Sequence, residues 1–296
     1  MKVFVTGVAG QLGFDVSERL QSRNIQCIGS DVVDKPEYIK VPYVKLDITD
    51  SKAVDKNIQE SECDVIVHCA AWTAVDDAES NEDKVRAINV DGTQNIANTA
   101  KAIDAKMLYI STDYVFDGQG EKPWEPDCKD YDPLNVYGQS KLDGEFAVVN
   151  TLDKYFIVRI AWVFGINGNN YIKTMVNLSE KFDEIKVVND QIGTPTFTYD
   201  LARLLCDMIE TDKYGYYHAT NEGGYISWYD FTKEIYNQIG TTTNVVPVTT
   251  AEYGESVAAR PFNSRLDKSK LKEAGFEALP DWKDAVHRYL NAKGLV

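Results

Sequence analysis

Short, continuous apolar runs recur along the first half of the chain. They are rich in Val and Ile and lack the polar alternation of a strand that has one face in water. Such runs are typical of strands that are buried on both faces of a parallel sheet. The predicted strands are residues 2–6, 26–30, 64–69, 107–111 and 156–160, with a weaker candidate at 43–46.

Segments with apolar residues at helical spacing separate these strands. The predicted helices are residues 11–23, 52–60, 82–103 and 136–148. In the third, Val85, Ile88, Ile96 and Ile103 form the inward-facing stripe. Strands that alternate with helices indicate βαβ units, so we predict an α/β fold with a Rossmann-like, doubly wound parallel sheet.

The pattern becomes looser beyond about Ile160. Helices predicted at 171–181, 199–211, 228–239 and 282–292 are separated by loops and by short strands, such as one around Tyr217. We assign residues 1–163 to the domain that carries the sheet and residues 164–296 to a smaller α/β substrate lobe. Residues 185–210 could also return to the sheet, and this alternative stays open.

Composition narrows the class of protein. The formal net charge of −15 disfavours nucleic acid as a partner, because binding a polyanion needs a basic surface. The five cysteines are odd in number and show no C-x-x-C pair, which fits a reducing compartment. The first apolar run is predicted to be a strand rather than a signal peptide. No run approaches the roughly 18–20 apolar residues of a membrane span. We therefore expect a cytoplasmic protein without a membrane partner.

A glycine loop, TGVAGQLG, follows the first strand and opens the first helix. Gly7 would allow a tight turn, Gly10 the approach of a pyrophosphate to the backbone, and Gly13 the close packing of helix on strand. The helix N-terminus then faces the anion. The spacing is G-x-x-G-x-x-G, and its place between strand and helix predicts a dinucleotide-binding domain.

The ends of the following strands supply candidate cofactor contacts. Asp31 ends the second strand, where a carboxylate accepts hydrogen bonds from the adenosine ribose and favours NADH over NADPH. The nearby Lys35 could weaken that preference, so both cofactors stay open. Ligands of open α/β sheets bind beyond the carboxyl ends of strands. The other candidates at these ends are Asp47, Ile48, Ala70, Ala71 and Thr73.

Three residues suggest a reduction mechanism. Tyr137 and Lys141 are four residues apart at the start of a predicted helix and so share one face. Thr112 ends the fifth strand. Reducing a ketone leaves negative charge on its oxygen, which a tyrosine can neutralise by donating a proton. We expect the Lys141 cation to lower the pKa of Tyr137 and the Thr112 hydroxyl to orient the carbonyl.

The motifs resemble those of the dTDP-4-dehydrorhamnose reductases, a family of extended short-chain dehydrogenases, along nearly the whole chain. STDYVFDG, DQIGTPT and RPFNS are specific to that branch. The remaining similar stretches are TGVAGQLG, HCAAWTAVDDAE, INVDGT, YGQSKLDGE and RIAWVFG. The resemblance implies that NADH or NADPH reduces the 4-keto group of dTDP-4-dehydro-L-rhamnose to give dTDP-L-rhamnose.

The resemblance also implies a role for individual residues. The catalytic residues would be Thr112, Tyr137 and Lys141. The cofactor would contact Gly7, Gly10, Gln11, Leu12, Asp31, Asp47, Ile48, Ala70, Ala71, Thr73, Tyr137 and Lys141. The dTDP-linked keto sugar would contact Thr112, Asp113, Tyr137, Trp162, Arg260 and Asn263.

One departure from the family concerns magnesium. Some members dimerise around a magnesium ion held by carboxylates on the first helix and near the GTPT segment. This chain has Asp15 at the first place but Thr198 and Tyr199 at the second, and tyrosine is a poor ligand for a hard cation. The three histidines have no metal-ligand spacing. We therefore doubt the magnesium ion, predict no metal site and expect a monomer or a weak homodimer.

Other functions stay open at this point. The chain could be a reductase or epimerase of another nucleotide-linked keto sugar, or a non-catalytic nucleotide-binding regulatory subunit. A 4,6-dehydratase needs a further acid–base pair, and here Tyr114 follows Asp113 where such enzymes carry Glu. The intact Tyr–Lys pair disfavours a non-catalytic role.

Overall fold

Strands and helices alternate along most of the chain. The computed structural model describes residues 1–254 and 256–296. Its strands are β1 Lys2–Thr6, β2 Gln26–Asp31, β3 Tyr43–Lys45, β4 Val65–His68, β5 Lys106–Thr112, β6 Tyr155–Ile160, β7 Val163–Phe164, β8 Glu184–Val188, β9 Ile192–Gly193, β10 Thr196–Phe197, β11 Gly215–His218, β12 Ile226–Ser227 and β13 Asn244–Val248. Its α-helices are α1 Gln11–Ser22, α2 Ser51–Ser61, α3 Val75–Ala78, α4 Glu82–Arg86, α5 Thr93–Ala102, α6 Val136–Val149, α7 Tyr171–Ser179, α8 Thr198–Ile209, α9 Trp228–Ile239, α10 Thr250–Tyr253, α11 Ser269–Glu273 and α12 Trp282–Ala292.

Seven strands form one sheet in the order β11-β6-β5-β4-β1-β2-β3. Every neighbouring pair in it is parallel. From β1 the chain adds strands outward through β2 to β3, whereas from β4 it adds them in the opposite direction through β5 and β6 to β11. Ligands of such sheets bind in the crevice beyond the carboxyl ends of the two strands at this switch, β1 and β4. The predicted Rossmann-like sheet is therefore confirmed, and its geometry locates the site.

Helices cover both faces of this sheet. On one face α1 packs on α8, and their apolar side chains meet those of β1 and β6. On the other face α2, α5 and α6 cover β1, β4 and β5. Burial on both faces explains why the strand sequences are continuously apolar. Among the helices of residues 1–254 and 256–296, none has the length and apolar character needed to cross a bilayer.

The third predicted helix is not one continuous α-helix. A π-helical segment, Ala87–Gly92, separates α4 from α5. Val85 and Ile96 of the predicted stripe are fully buried, whereas Ile88, inside the π-helical segment, lines the cleft described below. π-Helical segments are frequent at functional sites because they redirect side chains locally.

The smaller lobe has its own core. Its short sheets pair β8 with β13, β9 with β12 and β7 with β10. Side chains from α7, α9 and α12, including Ile172, Phe231 and Tyr289, pack together beneath them. Val163 of β7, Tyr171 of α7 and Trp228 of α9 line the cleft described below.

The chain crosses between the two lobes more than once. Placing the strand around Tyr217 in the smaller lobe was wrong, because β11 pairs with β6 and Tyr217 joins the core of the large sheet. Within residues 185–210, α8 returns to the large sheet, whereas β8 pairs with β13 in the smaller lobe. We therefore propose a division by elements rather than a single boundary at residue 163.

Candidate active site

A cleft of about 1020 Å³ opens at the carboxyl ends of the central strands. The structure brings nearly all of the predicted site residues together there. Those that line it are Gly7, Gly10, Gln11, Leu12, Asp31, Asp47, Ile48, Ala70, Ala71, Thr73, Thr112, Asp113, Tyr137, Lys141 and Trp162. Their individual roles stay predictions.

The glycine loop lines this cleft and packs closely on the neighbouring backbone. Gly7 has φ +68°, and a Cβ atom there would lie 2.6 Å from the backbone nitrogen of Ala70. A Cβ on Gly13 would collide with the Gly7 carbonyl, so α1 can approach the loop only because glycine stands there. Among the residues that the structure describes, no side chain caps the N-terminus of the twelve-residue α1. Free backbone N–H groups at a helix N-terminus bind phosphate, so this cradle fits a pyrophosphate.

Asp31 shapes the loop as well as lining the cleft. Its carboxylate accepts hydrogen bonds from the backbone nitrogens of Ala9, at 3.0 Å, and Val32, at 2.8 Å. Lys35, the cation that we expected to offset this charge, donates instead to the carbonyl of Val41. The lysine ammonium group is therefore engaged by the backbone.

The predicted catalytic residues are held by β5 and by the start of α6. Asn135 caps α6 by accepting a hydrogen bond from the backbone nitrogen of Gly138 at 2.8 Å. A side chain on Gly138 would strike the carbonyl of Tyr114, so glycine allows α6 to approach the turn after β5. This approach places Tyr137 and Thr112 in the same cleft.

The protonation of Tyr137 differs from our expectation. Burial raises the pKa of Tyr137 above its ordinary value; the nearby Thr112 hydroxyl opposes the shift and Asp113 adds to it. The predicted lowering by Lys141 is wrong in this structure, because the Lys141 Nζ lies over the Tyr109 ring, 4.0 Å from its centroid. A raised pKa keeps the Tyr137 hydroxyl protonated at neutral pH, which is the state a proton donor needs.

Lys141 is buried, with 4% of its surface exposed. Burial lowers its pKa to about 7, while the Glu145 carboxylate acts in the opposite direction. Its charge at neutral pH therefore depends on neighbouring groups.

Two buried polar atoms at the end of β5 have no hydrogen-bond partner among the residues that the structure describes. They are Ser111 Oγ and Asp113 Oδ2. The other oxygen of Asp113 accepts from the Thr112 hydroxyl at 3.0 Å. Burial raises the pKa of Asp113 to about 6, and the nearby hydroxyl groups of Ser264 and Thr112 oppose the shift. Buried polar atoms normally have partners, so a polar ligand group fits at this point.

Aromatic side chains form the opposite wall. Trp162 lies in the left-handed region at φ +50° and stacks on Trp228 with ring centroids 3.7 Å apart. Tyr171 is 4.4 Å from Trp228, again between ring centroids. Trp228, the first residue of α9, also lines the cleft.

Sequence reasoning missed several lining residues. Ser227 and Asp230 form a capping box at the start of α9. This spacing is visible in the sequence and places Trp228 in a first helical turn. Tyr171 follows the N-cap of α7 in the same way. The missed lining residues include Lys84, Ser111, Tyr114, Asn169, Tyr171 and Trp228.

Arg260 and Asn263 do not line the cleft. Arg260 forms an ion pair with Asp76 of α3 at 2.7 Å. Asn263 is buried and donates to the carbonyls of Gln119 and Lys122, which uses its amide group to hold a loop. Their predicted contact with the nucleotide therefore has no support from this geometry.

The carboxylate considered for magnesium is used inside the chain. Asp15 is buried and accepts a hydrogen bond from the Thr198 hydroxyl. Burial raises the pKa of Asp15 to about 6. Over residues 1–254 and 256–296, His, Cys, Asp and Glu side chains form no cluster of three that could hold a metal ion. The doubt about magnesium stays a prediction.

A doubly wound sheet, a glycine cradle at its switch point and a Tyr–Lys pair in the same cleft define a class. The protein is a nicotinamide-dependent oxidoreductase of the short-chain dehydrogenase type. The chain belongs to the family described as RmlD substrate binding domain, whose model matches residues 1–294.

Relatives cover nearly the whole chain. The dTDP-4-dehydrorhamnose reductase of Streptomyces griseus is 38% identical over 95% of this chain and 90% of its own length. A solved dTDP-4-dehydrorhamnose reductase from Clostridium acetobutylicum is 40% identical, with a TM-score of 0.92, over 99% of this chain and 100% of its own. The Bacillus anthracis dTDP-4-dehydrorhamnose reductase, solved with NADP, is 39% identical, with a TM-score of 0.90 and the same coverage. The resemblance to this family is confirmed.

Proposed function

We propose that this protein reduces the 4-keto group of dTDP-4-dehydro-L-rhamnose to give dTDP-L-rhamnose. One observation carries the proposal: Thr112, Tyr137 and Lys141 share a cleft with the glycine cradle in a chain of this family. The names of the close relatives support the substrate.

The residues of the cleft can perform such a reduction. The nicotinamide cofactor, when bound, supplies the hydride. The Tyr137 hydroxyl, which is protonated at neutral pH, donates its proton to the ketone oxygen as negative charge develops there. The Thr112 hydroxyl orients the same oxygen. Lys141 holds the ribose next to the nicotinamide.

The unpartnered oxygen of Asp113 and the Trp162–Trp228 stack suit a sugar. A carboxyl group can hydrogen-bond hydroxyl groups, and an indole face packs against the apolar face of a pyranose ring. Asp113 and Trp162 therefore bind the sugar in this proposal, with Trp228 behind Trp162.

Both NADH and NADPH remain cofactor candidates. The Bacillus anthracis relative was solved with NADP, whereas the Asp31 carboxylate at the ribose end of the cleft repels a 2′-phosphate. We propose that either cofactor serves and that Asp31 sets their ratio.

The test generates dTDP-4-dehydrorhamnose in situ and follows the loss of absorbance of NADH or NADPH. Oxidation that requires the sugar supports the reductase. No oxidation by protein that still binds dinucleotide contradicts the substrate, and other nucleotide-linked keto sugars are then tried in the same assay. Retention of bound NAD through purification, with turnover that needs no added reductant, would identify an epimerase instead.

A further inference from the structure

Helix α6 carries three polar side chains on one face. Tyr137, Lys141 and Glu145 follow each other at intervals of four residues, which places them one above another along the helix. The first two belong to the cleft. Glu145 lies one turn deeper, has 0% of its surface exposed and has no part in the reaction described so far.

Glu145 is paired with an equally buried cation. Arg159 of β6 is 0% exposed and binds both carboxylate oxygens, through Nε to Oε1 at 2.8 Å and Nη2 to Oε2 at 2.7 Å. The same guanidinium group donates to the carbonyl of Pro126 at 3.1 Å and to the hydroxyl of Tyr131 at 3.0 Å. A planar, two-point contact of this kind fixes orientation as well as distance.

Aromatic rings enclose the Arg159 guanidinium group. Its central carbon lies 5.0 Å from the ring centre of Phe116, 5.2 Å from that of Tyr131 and 4.7 Å from that of Tyr216. Arg159 therefore joins α6, β11 and the loop between β5 and α6. Buried ion pairs add little stability over apolar side chains of the same volume, because both charges lose their hydration. A contribution to folding stability therefore does not explain why this chain buries the Glu145–Arg159 pair.

Glu145 is the negative neighbour of Lys141. The titratable groups around Lys141 are His68 and Cys69 at the end of β4, Tyr109 of β5, and Tyr137 and Glu145 of its own helix. Burial lowers the pKa of His68 to about 3 and raises the pKa of Cys69 to about 12, so both are neutral at neutral pH. The Glu145 carboxylate thus provides the negative charge that favours the ammonium form.

We propose that Glu145, held by Arg159, is a positioning residue: it fixes the catalytic face of α6 against the sheet and keeps Lys141 charged. The proposal deepens the proposed reductase function and rests on it. Tyr109 strengthens the arrangement, because its hydroxyl donates to the backbone carbonyl of Lys141 at 3.3 Å while its ring lies beneath the ammonium group.

The sign of the expected effect follows from burial. Burial already lowers the pKa of Lys141 to about 7, and the Glu145 carboxylate opposes that shift. Removing the carboxylate moves the pKa of Lys141 further down, so less of the ammonium form remains at neutral pH. The Arg159 charge, no longer compensated, acts in the same direction.

The experiment titrates Lys141 by NMR in protein with labelled lysine and measures dinucleotide affinity across pH. We expect Glu145→Gln to move the Lys141 titration down by about one pH unit or more, a tenfold change in charged fraction. Dinucleotide affinity should fall at neutral pH and recover as the pH is lowered. In Glu145→Asp, which keeps the negative charge, Lys141 should titrate at a pH close to that of the parent protein. Asp143→Asn is the matched control, because Asp143 lies on the same helix but pairs with Arg86 at the surface.

A Glu145→Leu, Arg159→Met double variant covers the case in which Glu145→Gln does not fold. It replaces the ion pair by apolar groups. In the folded variant, the pH at which Lys141 titrates should also be lower than in the parent protein. An unchanged Lys141 titration in a folded variant lacking the carboxylate overturns the proposal, and so does failure of every such variant to fold. Neither readout uses the keto sugar, so failure of the proposed function would appear separately, as dinucleotide binding without turnover.

Discussion

The Trp162–Trp228 stack allows a quantitative prediction about the wall of the cleft that we propose binds the sugar. Trp162 is held at φ +50°, a conformation that costs a non-glycine residue about 1–2 kcal/mol. Two contacts hold it there: the Trp228 ring at 3.7 Å, and Gly193, where a Cβ would lie 2.8 Å from the indole. Trp228→Ala removes the first contact and frees the Trp162 indole.

A stacked aromatic pair contributes about 0.5–1.5 kcal/mol beyond burial. Without the stack, the Trp162 indole is no longer held in place before the sugar binds, so KM for the keto sugar should rise about two- to tenfold. The change in kcat should be smaller, because Thr112 and Tyr137 are held by β5 and α6. Dinucleotide affinity should stay unchanged, since the glycine cradle is at the other end of the cleft.

Steady-state kinetics and circular dichroism test this prediction together. The stacked indoles should give an exciton couplet that Trp228→Ala abolishes and that Trp124→Phe, a control outside the cleft, retains. Trp228→Phe should recover part of the loss in KM. An unchanged KM in Trp228→Ala protein that has lost the couplet would refute the reasoning.

Three further predictions concern the rest of the cleft. Gly7→Ala should weaken dinucleotide binding, measured by calorimetry, at least about tenfold, because the added Cβ meets backbone atoms. Gly120→Ala is the control for backbone strain alone, because Gly120 has φ +78° and open space around it; this variant should bind dinucleotide normally. In the folded protein, the pKa of Asp113 is raised to about 6. The free energy of unfolding therefore falls as the pH rises from about 4 to 6, and it stays lowered at neutral pH. In urea unfolding, Asp113→Asn should therefore stabilise the protein by up to about 3 kcal/mol at pH 7 and by little near pH 4, and it should lower activity. Equal stabilisation at both pH values would contradict this. Asp31→Asn should raise kcat/KM for NADPH relative to NADH about tenfold or more, because it removes a charge but keeps an acceptor oxygen; an unchanged ratio would show that Asp31 does not select the cofactor.

The large sheet was predictable because its signal is local. Strands buried on both faces need continuous apolar runs, and the glycine loop needs its residues at fixed spacing next to β1. Tyr137 and Lys141 were predictable for the same reason, since helical spacing alone puts them on one face.

The remaining features depend on contacts between distant segments. β11 carries Tyr216 and Tyr217 on a strand of four residues, and nothing in so short a segment shows which sheet it joins. The left-handed backbone of Trp162 depends on Gly193 and Trp228, which are far along the chain. The pKa of Tyr137 was predicted in the wrong direction because sequence does not show that the side chain is buried or that the Lys141 ammonium group lies over the Tyr109 ring instead.

The most direct test of the account compares Tyr137→Phe with the parent protein in two measurements, sugar-dependent oxidation of NADH or NADPH and dinucleotide affinity. Tyr229→Phe, on the first turn of α9, is the matched control and should keep both. The account predicts that Tyr137→Phe loses nearly all turnover and keeps most of its dinucleotide affinity, because the substitution removes the proton donor and leaves the ring. Full turnover in the Tyr137→Phe protein would contradict it.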